Sequence, residues 1–312
     1  MRAVTIRDGE LRIEQHPDPT PGAGEVLVRV RAAGLNGADM LQRRGRYPAP
    51  PGAPQDIPGL ELAGEVAELG AGARRFRVGE RVMSIVAGGG QAELAVVHER
   101  LLMPVPDNLS WAEAGGVPEV FTTAHDALFT QAGLRPGERL LVHGGAGGVG
   151  TAAIQLGRAV GAEVTATVRN PELRPPVAEL GARPIAPEGF AEHGPFDVIL
   201  ELVGAPNLPE NLAALATGGR IAVIGIGAGA RGELDLGALM ARRARIHGST
   251  LRPRPLEEKA LTARAMERSV LPLLARGTLR VPLAARYPLE QAAAAYDRFA
   301  AGGKLGKIVL ES

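Results

Sequence analysis

Short apolar runs separated by glycine, proline and aspartate dominate the first third of the chain. Each run is four to eight residues long and rich in β-branched side chains, a pattern typical of β-strands bounded by turns. The candidate strands are residues 3–6, 26–30, 62–69, 81–86 and 92–97. Because they follow one another closely, they favour an antiparallel barrel or sandwich. Residues 47–58 contain five prolines and are therefore predicted to form a surface loop.

The pattern changes near residue 140, where apolar runs of strand length begin to alternate with segments of helix length. Such alternation is typical of βαβ units in a parallel sheet. The predicted strands are residues 140–143, 163–168, 183–186, 197–203, 220–226 and 245–251. The predicted helices between them are residues 151–160, 175–180, 208–216 and 236–244. Six strands with interleaved helices predict a doubly wound parallel α/β sheet of the dinucleotide-binding type. A helical stretch at 256–276 and a strand at 307–310 complete the chain.

A glycine-rich turn follows the first strand of this α/β region. The segment Gly145-Ala146-Gly147-Gly148-Val149-Gly150 fits the pattern G-x-G-x-x-G and lies between a predicted strand and a predicted helix. In that setting the first glycine permits a tight turn, and the second lets the backbone approach a pyrophosphate. The third allows the helix to pack closely on the strand. We therefore predict that Gly145 and the residues from Gly147 to Gly150 bind a dinucleotide.

The end of the second strand distinguishes between the two nicotinamide dinucleotides. An Asp or Glu there would hydrogen-bond the ribose 2′-hydroxyl of NAD, but in this chain Thr167 and Val168 are followed by Arg169 and Asn170. A guanidinium at this corner can pair with a 2′-phosphate through charge-assisted hydrogen bonds. Thr167, Arg169 and Asn170 therefore predict NADPH as the cofactor, with Arg174 as an alternative partner for the 2′-phosphate.

Composition narrows the range of partners. With 45% hydrophobic residues, 22% charged residues and a formal net charge of +1, the chain is predicted to fold and to have no basic surface for nucleic acid. Aromatic residues make up 3% of the chain, too few for base-stacking platforms. No signal peptide or membrane-spanning segment is apparent, so we expect a cytoplasmic protein. The absence of cysteine excludes disulfides and thiolate metal sites.

Several short motifs occur in order along the chain. They are Ala33-Gly34-Leu35-Asn36-Gly37-Ala38-Asp39, Gly45-Arg46-Tyr47-Pro48, Pro58-Gly59-Leu60-Glu61-Leu62-Ala63-Gly64, Val78-Gly79-Glu80-Arg81-Val82, Gly88-Gly89-Gly90-Gln91-Ala92-Glu93, the glycine turn, and Gly306-Lys307-Ile308-Val309-Leu310. With these motifs the chain resembles the medium-chain dehydrogenase/reductases, and within them the quinone oxidoreductase branch related to zeta-crystallin. The resemblance implies a GroES-like β-barrel catalytic domain built from residues 1–120 and 256–312. It also implies a Rossmann domain of residues 121–255 between them.

The resemblance also raises the question of a metal. Zinc-dependent alcohol dehydrogenases of this superfamily have a cysteine and a Gly-His-Glu sequence where this chain has Asn36 and Gly59-Leu60-Glu61. A catalytic zinc needs about three protein ligands, and these positions offer neither a thiolate nor an imidazole. The six histidines are scattered without metal-ligand spacing. We therefore predict that no metal is required.

The resemblance implies a site made from several segments. Asn36 and Tyr47 are expected to line the nicotinamide and acceptor pocket as the catalytic residues. Asp39, three residues after Asn36, is expected to be structural. The positions that match cofactor contacts of the family are Thr123, Gly204, Gly225 and Leu251.

Together these features predict an NADPH-dependent, zinc-independent quinone oxidoreductase. Without a Lewis acid to stabilise an alkoxide, the acceptor should already be electron-poor, such as a quinone or an activated double bond. Two alternatives remain open: an NADPH-dependent enoyl-thioester or enone reductase in which Tyr47 donates a proton, and a non-catalytic NADPH-binding sensor. We also expect a homodimer that joins through residues 245–251.

Overall fold

The computed structural model describes all 312 residues, which form two compact units. Unit 1 comprises Met1–Thr122, Leu251–Gly302 and Lys307–Ser312, and unit 2 comprises Thr123–Thr250 and Gly303–Gly306. Unit 1 is therefore built from both ends of the chain. The domain boundaries predicted from the sequence fall after residues 120 and 255, and residues 303–306 are not separated from the rest of the C-terminal segment. As an assignment of domains, that division stays a prediction.

Unit 1 contains a seven-stranded sheet and a separate two-stranded sheet. Its strands are β1 (Arg2–Arg7), β2 (Glu10–Gln15), β3 (Glu25–Gly34), β4 (Glu61–Leu69), β5 (Arg81–Ile85), β6 (Leu94–His98), β7 (Met103–Pro104), β14 (Leu283–Pro288) and β15 (Lys307–Glu311). Strands β1 and β2 pair with each other, and the large sheet has the order β14-β15-β3-β4-β5-β7 with β6 also on β3. All its neighbours are antiparallel except β14 and β15. The predicted GroES-like β-domain is confirmed.

Alternation of side chains along β3 explains the core of this sheet. Val26, Val28 and Val30 are at most 2% exposed and pack with Leu62 and Val66 of β4. Successive side chains of a strand point to opposite faces, so these valines at every second position form one apolar face. Burial of each such side chain stabilises the fold by about 1.5–3 kcal/mol.

Six α-helices accompany the strands of unit 1. They are α1 (Gly37–Arg43), α2 (Trp111–Gly115), α3 (Pro118–His125, which continues into unit 2), α8 (Leu256–Ser269), α9 (Leu271–Ala275) and α10 (Ala292–Ala300). The helical stretch predicted for residues 256–276 consists of two helices, because the chain breaks at Val270 between α8 and α9. Pro272 lacks an N–H and is tolerated only in the first turn of a helix, so a new helix begins there. The sequence pattern does not predict β2, β7, β14, α2 or α10.

Unit 2 is a six-stranded parallel sheet with helices between its strands. The strands are β8 (Arg139–Val142), β9 (Glu163–Thr167), β10 (Arg183–Ile185), β11 (Phe196–Glu201), β12 (Leu215–Val223) and β13 (Arg245–Gly248), in the order β10-β9-β8-β11-β12-β13. The helices are α4 (Gly148–Ala159), α5 (Arg174–Glu179), α6 (Leu208–Ala214) and α7 (Leu236–Arg242). All neighbouring strands are parallel. This order reverses direction at β8 and β11, as in a doubly wound dinucleotide-binding sheet, and confirms the predicted Rossmann fold.

Three predicted strand limits in unit 2 differ from the structure by three residues or more: both ends of β12, which is Leu215–Val223 rather than 220–226, and the end of β13. Strand β12 begins at Leu215, five residues before the predicted start, because the Gly218-Gly219 pair is accommodated as an irregularity opposite β11. Strand β13 ends at Gly248, so Leu251 lies outside the sheet. No helix of the molecule is both long and apolar enough to cross a bilayer.

Candidate active site

The glycine-rich turn joins β8 to α4. Gly144 has a φ of 66°, in the left-handed region, and Gly147 is the N-cap of α4. The helix begins at Gly148, so Gly148, Val149 and Gly150 form its first turn. Their N–H groups have no acceptor within the helix. Together with the positive end of the helix dipole, they form a site suited to a phosphate.

Packing requires two of the predicted glycines. A Cβ on Gly145 would lie 2.8 Å from the Cβ of Ala166 in β9, and a Cβ on Gly150 would lie 2.4 Å from the carbonyl oxygen of Gly144. Gly147 has more room, since its nearest neighbour would be 3.3 Å away. The left-handed residue of the turn is Gly144, which lies just before the motif, and the lack of a side chain on Gly145 allows the turn to pack against β9.

A buried hydrogen-bond network adjoins this turn. His143 Nε2 is 2.7 Å from Asn211 Oδ1, and Asn211 Nδ2 donates to Glu201 at 2.7 Å. The amide oxygen of Asn211 therefore faces the ring, so His143 donates from Nε2. Its Nδ1, 3.2 Å from Thr167 Oγ1, then accepts from the hydroxyl, which also accepts from the Gly144 N–H at 3.2 Å. Burial, opposed by Glu201, lowers the pKa of His143 and favours the neutral ring that this arrangement needs.

Glu201 is a carboxylate at the end of β11 that is 3% exposed and is held by N–H donors. One oxygen accepts from the backbone N–H groups of Val203 at 2.6 Å and Gly204 at 2.8 Å. The other accepts from the side-chain amides of Asn207 at 3.1 Å and Asn211 at 2.7 Å. Glu201 thus fixes the turn that contains the predicted cofactor residue Gly204, whose φ is 135°.

Two arginines stand near the end of β9. The Arg169 side chain is exposed and makes no hydrogen bond or ion pair with the protein. The Arg174 Nε donates to the Val168 carbonyl at 3.3 Å. The Asn170 side chain accepts from the Glu172 N–H at 3.0 Å and caps a short 3₁₀ turn. Arg169 is therefore the guanidinium whose donors are all unused.

The remaining predicted cofactor residues fall in different parts of the fold. Gly225 follows β12, and a Cβ there would lie 2.2 Å from the carbonyl oxygen of Leu202. Thr123 lies in α3 and is 8% exposed. Leu251 belongs to unit 1, where it lines a small cavity with Met103. All the predicted cofactor residues except Leu251 therefore belong to unit 2.

Unit 1 contains a buried group of polar side chains that we call the ionic cluster: Asn36, Asp39, Glu61 and Lys307. Lys307 Nζ donates to Glu61 Oε1 at 2.6 Å, to Asn36 Oδ1 at 2.8 Å and to the Leu35 carbonyl at 2.8 Å. Asn36 Nδ2 donates to Glu61 Oε1 at 2.9 Å and to the Gly34 carbonyl at 3.3 Å. Every polar atom of the Asn36 side chain is thus engaged within the protein.

Asp39 joins the ionic cluster to the start of α1. Its carboxylate accepts from the Asn36 N–H at 2.8 Å and from the Gly59 N–H at 3.2 Å. Asn36 is the N-cap of α1, so Asp39 closes a capping box. Burial raises the pKa of Asp39 to about 7, against the opposing effect of Lys307. The segments around Asn36 and Gly59 are therefore held together by one buried carboxyl group.

Tyr47 is half-buried, and Arg252 holds its loop. The Arg252 guanidinium lies 4.9 Å from the centroid of the Tyr47 ring. Its Nη1 donates to the carbonyls of Tyr47 at 3.0 Å and Pro48 at 3.3 Å. Its Nε donates to the Ala87 carbonyl at 2.8 Å, and its Nη2 donates to Gln42 Oε1 at 2.8 Å. Arg252 is 5% exposed and ties this loop to α1 and to the loop that follows β5.

The Tyr47 hydroxyl makes no hydrogen bond with the protein. Burial and the nearby Glu119 raise the pKa of Tyr47, while Arg252 opposes that shift. The phenol is therefore protonated at neutral pH and can donate a hydrogen bond.

Comparisons with known proteins agree with this architecture. Residues 22–107 match the family model of the alcohol dehydrogenase GroES-like domain, and residues 185–310 match that of zinc-binding dehydrogenase. The chain is 32% identical over 306 residues to a quinone oxidoreductase of Rattus norvegicus, a match that covers 94% of this chain and 90% of that protein. It is 36% identical over 297 residues to the polyketide synthase GfsB of Streptomyces halstedii, a match that covers 92% of this chain and 5% of that protein. A solved mycobacterial structure complexed with NADPH has a TM-score of 0.89 and 28% identity, with 100% of both chains covered.

The parallel sheet and its glycine turn define a dinucleotide-binding α/β fold, and the matching family models and relatives make the protein an oxidoreductase. Together with the β-domain and the relatives just described, they show that the chain belongs to the quinone oxidoreductase branch of the medium-chain dehydrogenase/reductase superfamily.

The residues of this chain do not fit the zinc that the name of the second family model implies. The positions in question hold Asn36, Leu60 and Glu61, and no group of three or more His, Cys, Asp or Glu side chains could hold a metal ion anywhere in the structure. In addition, the Lys307 ammonium already lies within 2.8 Å of the oxygens of Asn36 and Glu61. A second cation beside it would be repelled.

Sequence reasoning missed five residues that organise these sites. They are Glu61, His143, Glu201, Arg252 and Lys307. Four of the five lie in or beside apolar strands, where a titratable side chain is unusual and needs a partner. That signal could have identified them as members of buried networks, although not their partners.

Proposed function

We propose that the protein is an NADPH-dependent, zinc-independent quinone oxidoreductase. The observation that carries the proposal is the ionic cluster. The oxygens of Asn36 and Glu61 accept hydrogen bonds from the Lys307 ammonium, so these residues offer no metal Lewis acid to a substrate oxygen. A quinone is already electron-poor and accepts a hydride without such activation. The relatives named quinone oxidoreductase support the same acceptor class.

The cofactor would supply a hydride from its nicotinamide ring. The first-turn N–H groups of α4 would bind its pyrophosphate. Arg169 would pair with the 2′-phosphate because its guanidinium is exposed and has no protein partner, with Arg174 as the second candidate. These features support NADPH over NADH.

Reduction of a quinone to a hydroquinone requires a hydride and a proton. The hydride would come from NADPH, which leaves as NADP⁺, and water would ultimately supply the proton. Tyr47 would donate a hydrogen bond to a quinone oxygen, since its hydroxyl is protonated and has no protein acceptor. Asn36 would act by holding the start of α1, because its amide is engaged in the ionic cluster.

The similarity to polyketide synthases favours a second candidate, the reduction of an enone or enoyl thioester. In that reaction the hydride adds to the carbon–carbon double bond and Tyr47 would protonate the adjacent carbon. Tyr47→Phe should then abolish enone reduction. An unchanged rate would eliminate this role.

Absorbance at 340 nm separates these functions. NADPH and NADH would each be offered with an ortho-quinone, a para-quinone and an enoyl thioester. Consumption of NADPH with a quinone supports the proposal, and consumption with the thioester alone supports the second candidate. Tight NADPH binding without any turnover would instead indicate a cofactor-binding sensor and would overturn both.

We further propose that the protein is a homodimer joined through β13 and works in the cytoplasm, where NADPH is available. Strand β13 is at the edge of the sheet and pairs only with β12. Leu236 and Met240 of α7, the helix that leads into β13, are 63% and 77% exposed. An open strand edge with apolar neighbours is suited to pairing with a second copy. Equilibrium ultracentrifugation that shows only monomer would overturn the dimer.

A further inference from the structure

The Lys307 ammonium is surrounded by oxygens in the way that a bound cation would be. Its Nζ lies 2.6 Å from Glu61 Oε1, 2.8 Å from Asn36 Oδ1 and 2.8 Å from the Leu35 carbonyl. An ammonium has three N–H donors, so all three are satisfied. The Lys307 side chain is 3% exposed and the Glu61 side chain is fully buried. A buried ion pair survives only with good geometry and complete hydrogen bonding, and both conditions are met.

We propose that Lys307 is an internal cation that organises the acceptor side of unit 1 in place of a metal ion. It is a positioning residue. Its ammonium holds the Glu61 carboxylate and the Asn36 amide in one fixed arrangement, and through them the start of α1.

The ammonium determines which way the Asn36 amide faces. Asn36 Oδ1 accepts from Lys307, and Asn36 Nδ2 donates to Glu61. A flipped amide would turn its N–H groups toward the ammonium and its oxygen toward the carboxylate, and both contacts would be repulsive. Loss of the positive charge removes the contribution of Lys307 to this constraint, so that only Glu61 and the Gly34 carbonyl orient the amide, and it leaves the carboxylate without a counter-ion.

A continuous set of contacts connects the ionic cluster to Tyr47. Asn36 caps the N-terminus of α1, and Gln42, near the end of that helix, accepts from Arg252. Arg252 binds the Tyr47 carbonyl and lies against its ring. Displacement of α1 would therefore move the loop that carries Tyr47. This part of the inference rests on the proposed role of Tyr47 at the acceptor.

The presence of the internal cation can be tested without any acceptor. The chain has three lysines, Lys259, Lys304 and Lys307, so ¹⁵N-lysine NMR of the wild-type protein gives at most three side-chain signals. We expect one ammonium with slowly exchanging protons, and we expect Lys307→Met to remove that signal. If the Lys307 signal exchanges as fast as that of a lysine in water, or if it shows a neutral amine, the inference is overturned whatever the acceptor proves to be.

The positioning role is tested by Lys307→Met and by the double variant Lys307→Met/Glu61→Gln. The single variant should lose about 30- to 100-fold in acceptor kcat/KM, as expected for a shift of about 1 Å in a positioned group. Its NADPH affinity should stay within about twofold of wild type, because the cofactor residues of unit 2 are untouched. Arg286→Met removes an exposed cation paired with Glu311 of β15 and is the matched control, with no change expected in either quantity.

The double variant separates positioning from folding. It removes both buried charges, so its thermal stability should recover toward the wild-type value, while acceptor kcat/KM stays low. If the double variant recovers wild-type kcat/KM together with stability, the ammonium serves only to neutralise Glu61 and the positioning role is overturned. A Lys307→Met protein with wild-type kcat/KM would overturn it as well. If the single variant does not fold, the double variant decides alone.

Discussion

Two buried glutamates, one in each unit, are stabilised by different kinds of partner. Glu61 in unit 1 binds an ammonium at 2.6 Å. Glu201 in unit 2 is surrounded by two backbone N–H groups and two side-chain amides, and its nearest titratable neighbour is the neutral ring of His143. A buried charge needs a counter-ion or a full set of hydrogen bonds. The first carboxylate has a counter-ion, and the second has dipolar donors.

This difference corresponds to different tasks. The amide donors around Glu201 come from the turn after β11 and from α6, so the carboxylate fixes the conformation of backbone near the predicted cofactor residues. The ion pair of Glu61 joins strands β4 and β15, which are 246 residues apart in sequence. It therefore connects the two ends of the chain that make up unit 1. The same substitution at the two glutamates should expose this contrast.

The largest effect is expected for Glu61→Gln. The change leaves the Lys307 ammonium buried without a counter-ion and should lower the free energy of unfolding by about 3–5 kcal/mol. Chemical denaturation measures this quantity. Glu65→Gln in the same strand is the matched control, because it removes a partly exposed pair with Arg31 and should cost at most about 1 kcal/mol. If Glu61→Gln and Glu65→Gln lower the free energy of unfolding equally, burial does not make the Glu61 pair stronger than the partly exposed one.

Glu201→Gln should have a smaller effect, about 1–3 kcal/mol, because no cation loses its partner. The new amide group must place at least one donor against the N–H donors of Gly204, Asn207 or Asn211, so one hydrogen bond is lost. NADPH affinity, followed by quenching of cofactor fluorescence, should fall, while acceptor KM stays unchanged. A loss of stability as large as that of Glu61→Gln would mean that the two sites do not differ as described.

Charge reversal at Arg169 tests whether this residue of unit 2 binds the 2′-phosphate of NADPH. Arg169→Glu should weaken NADPH by at least about tenfold relative to NADH, because one charge-assisted contact is worth roughly 1.5–3 kcal/mol. The Kd values of both nucleotides provide the measurement. Arg174→Glu is the comparison variant. An unchanged ratio in the first variant and a changed ratio in the second would move the 2′-phosphate contact to Arg174.

The smallest effect expected is the pH dependence of stability contributed by His143, which has the opposite sign to the contribution of Asp39. His143 has a lowered pKa in the folded protein, so its contribution to stability is complete above the unfolded pKa of about 6.5 and is lost as pH falls. Asp39 has a pKa raised to about 7, so its contribution is lost as pH rises from about 4 to 7.

His143→Gln isolates the first of these contributions. The difference in unfolding free energy between wild type and this variant should increase with pH between about 5 and 7, by no more than about 1.4 kcal/mol per pH unit for one group. Denaturation curves at several pH values measure it. A difference that is independent of pH would show that His143 titrates alike in the folded and unfolded chains.

Sequence patterns predicted the fold better than the networks within it. The βαβ alternation located all six strands of unit 2, because a buried parallel strand is an apolar run that local sequence reveals. Pairings such as Lys307 with Glu61, or Arg252 with Tyr47, join segments more than 200 residues apart. No local pattern encodes these pairings. Asn36 was identified from a motif, but only the structure shows that its amide faces inward toward a lysine.

Predictions of where single elements begin or end were wrong for local reasons. The end of β13 was predicted too late, at Leu251, which lies outside the sheet and belongs to unit 1. The glycine turn was located correctly, yet its left-handed residue is Gly144, which lies just before the motif. Such positions depend on backbone dihedral angles, and in a chain with 42 glycines the sequence does not show which of several adjacent glycines adopts them.

The most direct test is the rate of NADPH oxidation with a quinone before and after treatment of the wild-type enzyme with a strong zinc chelator. If the Lys307 ammonium takes the place of a metal at the acceptor side of unit 1, the rate will be the same before and after treatment, and added zinc will not raise it. A rate that falls on chelation and returns when zinc is added would contradict both the internal cation and the zinc-independent reaction.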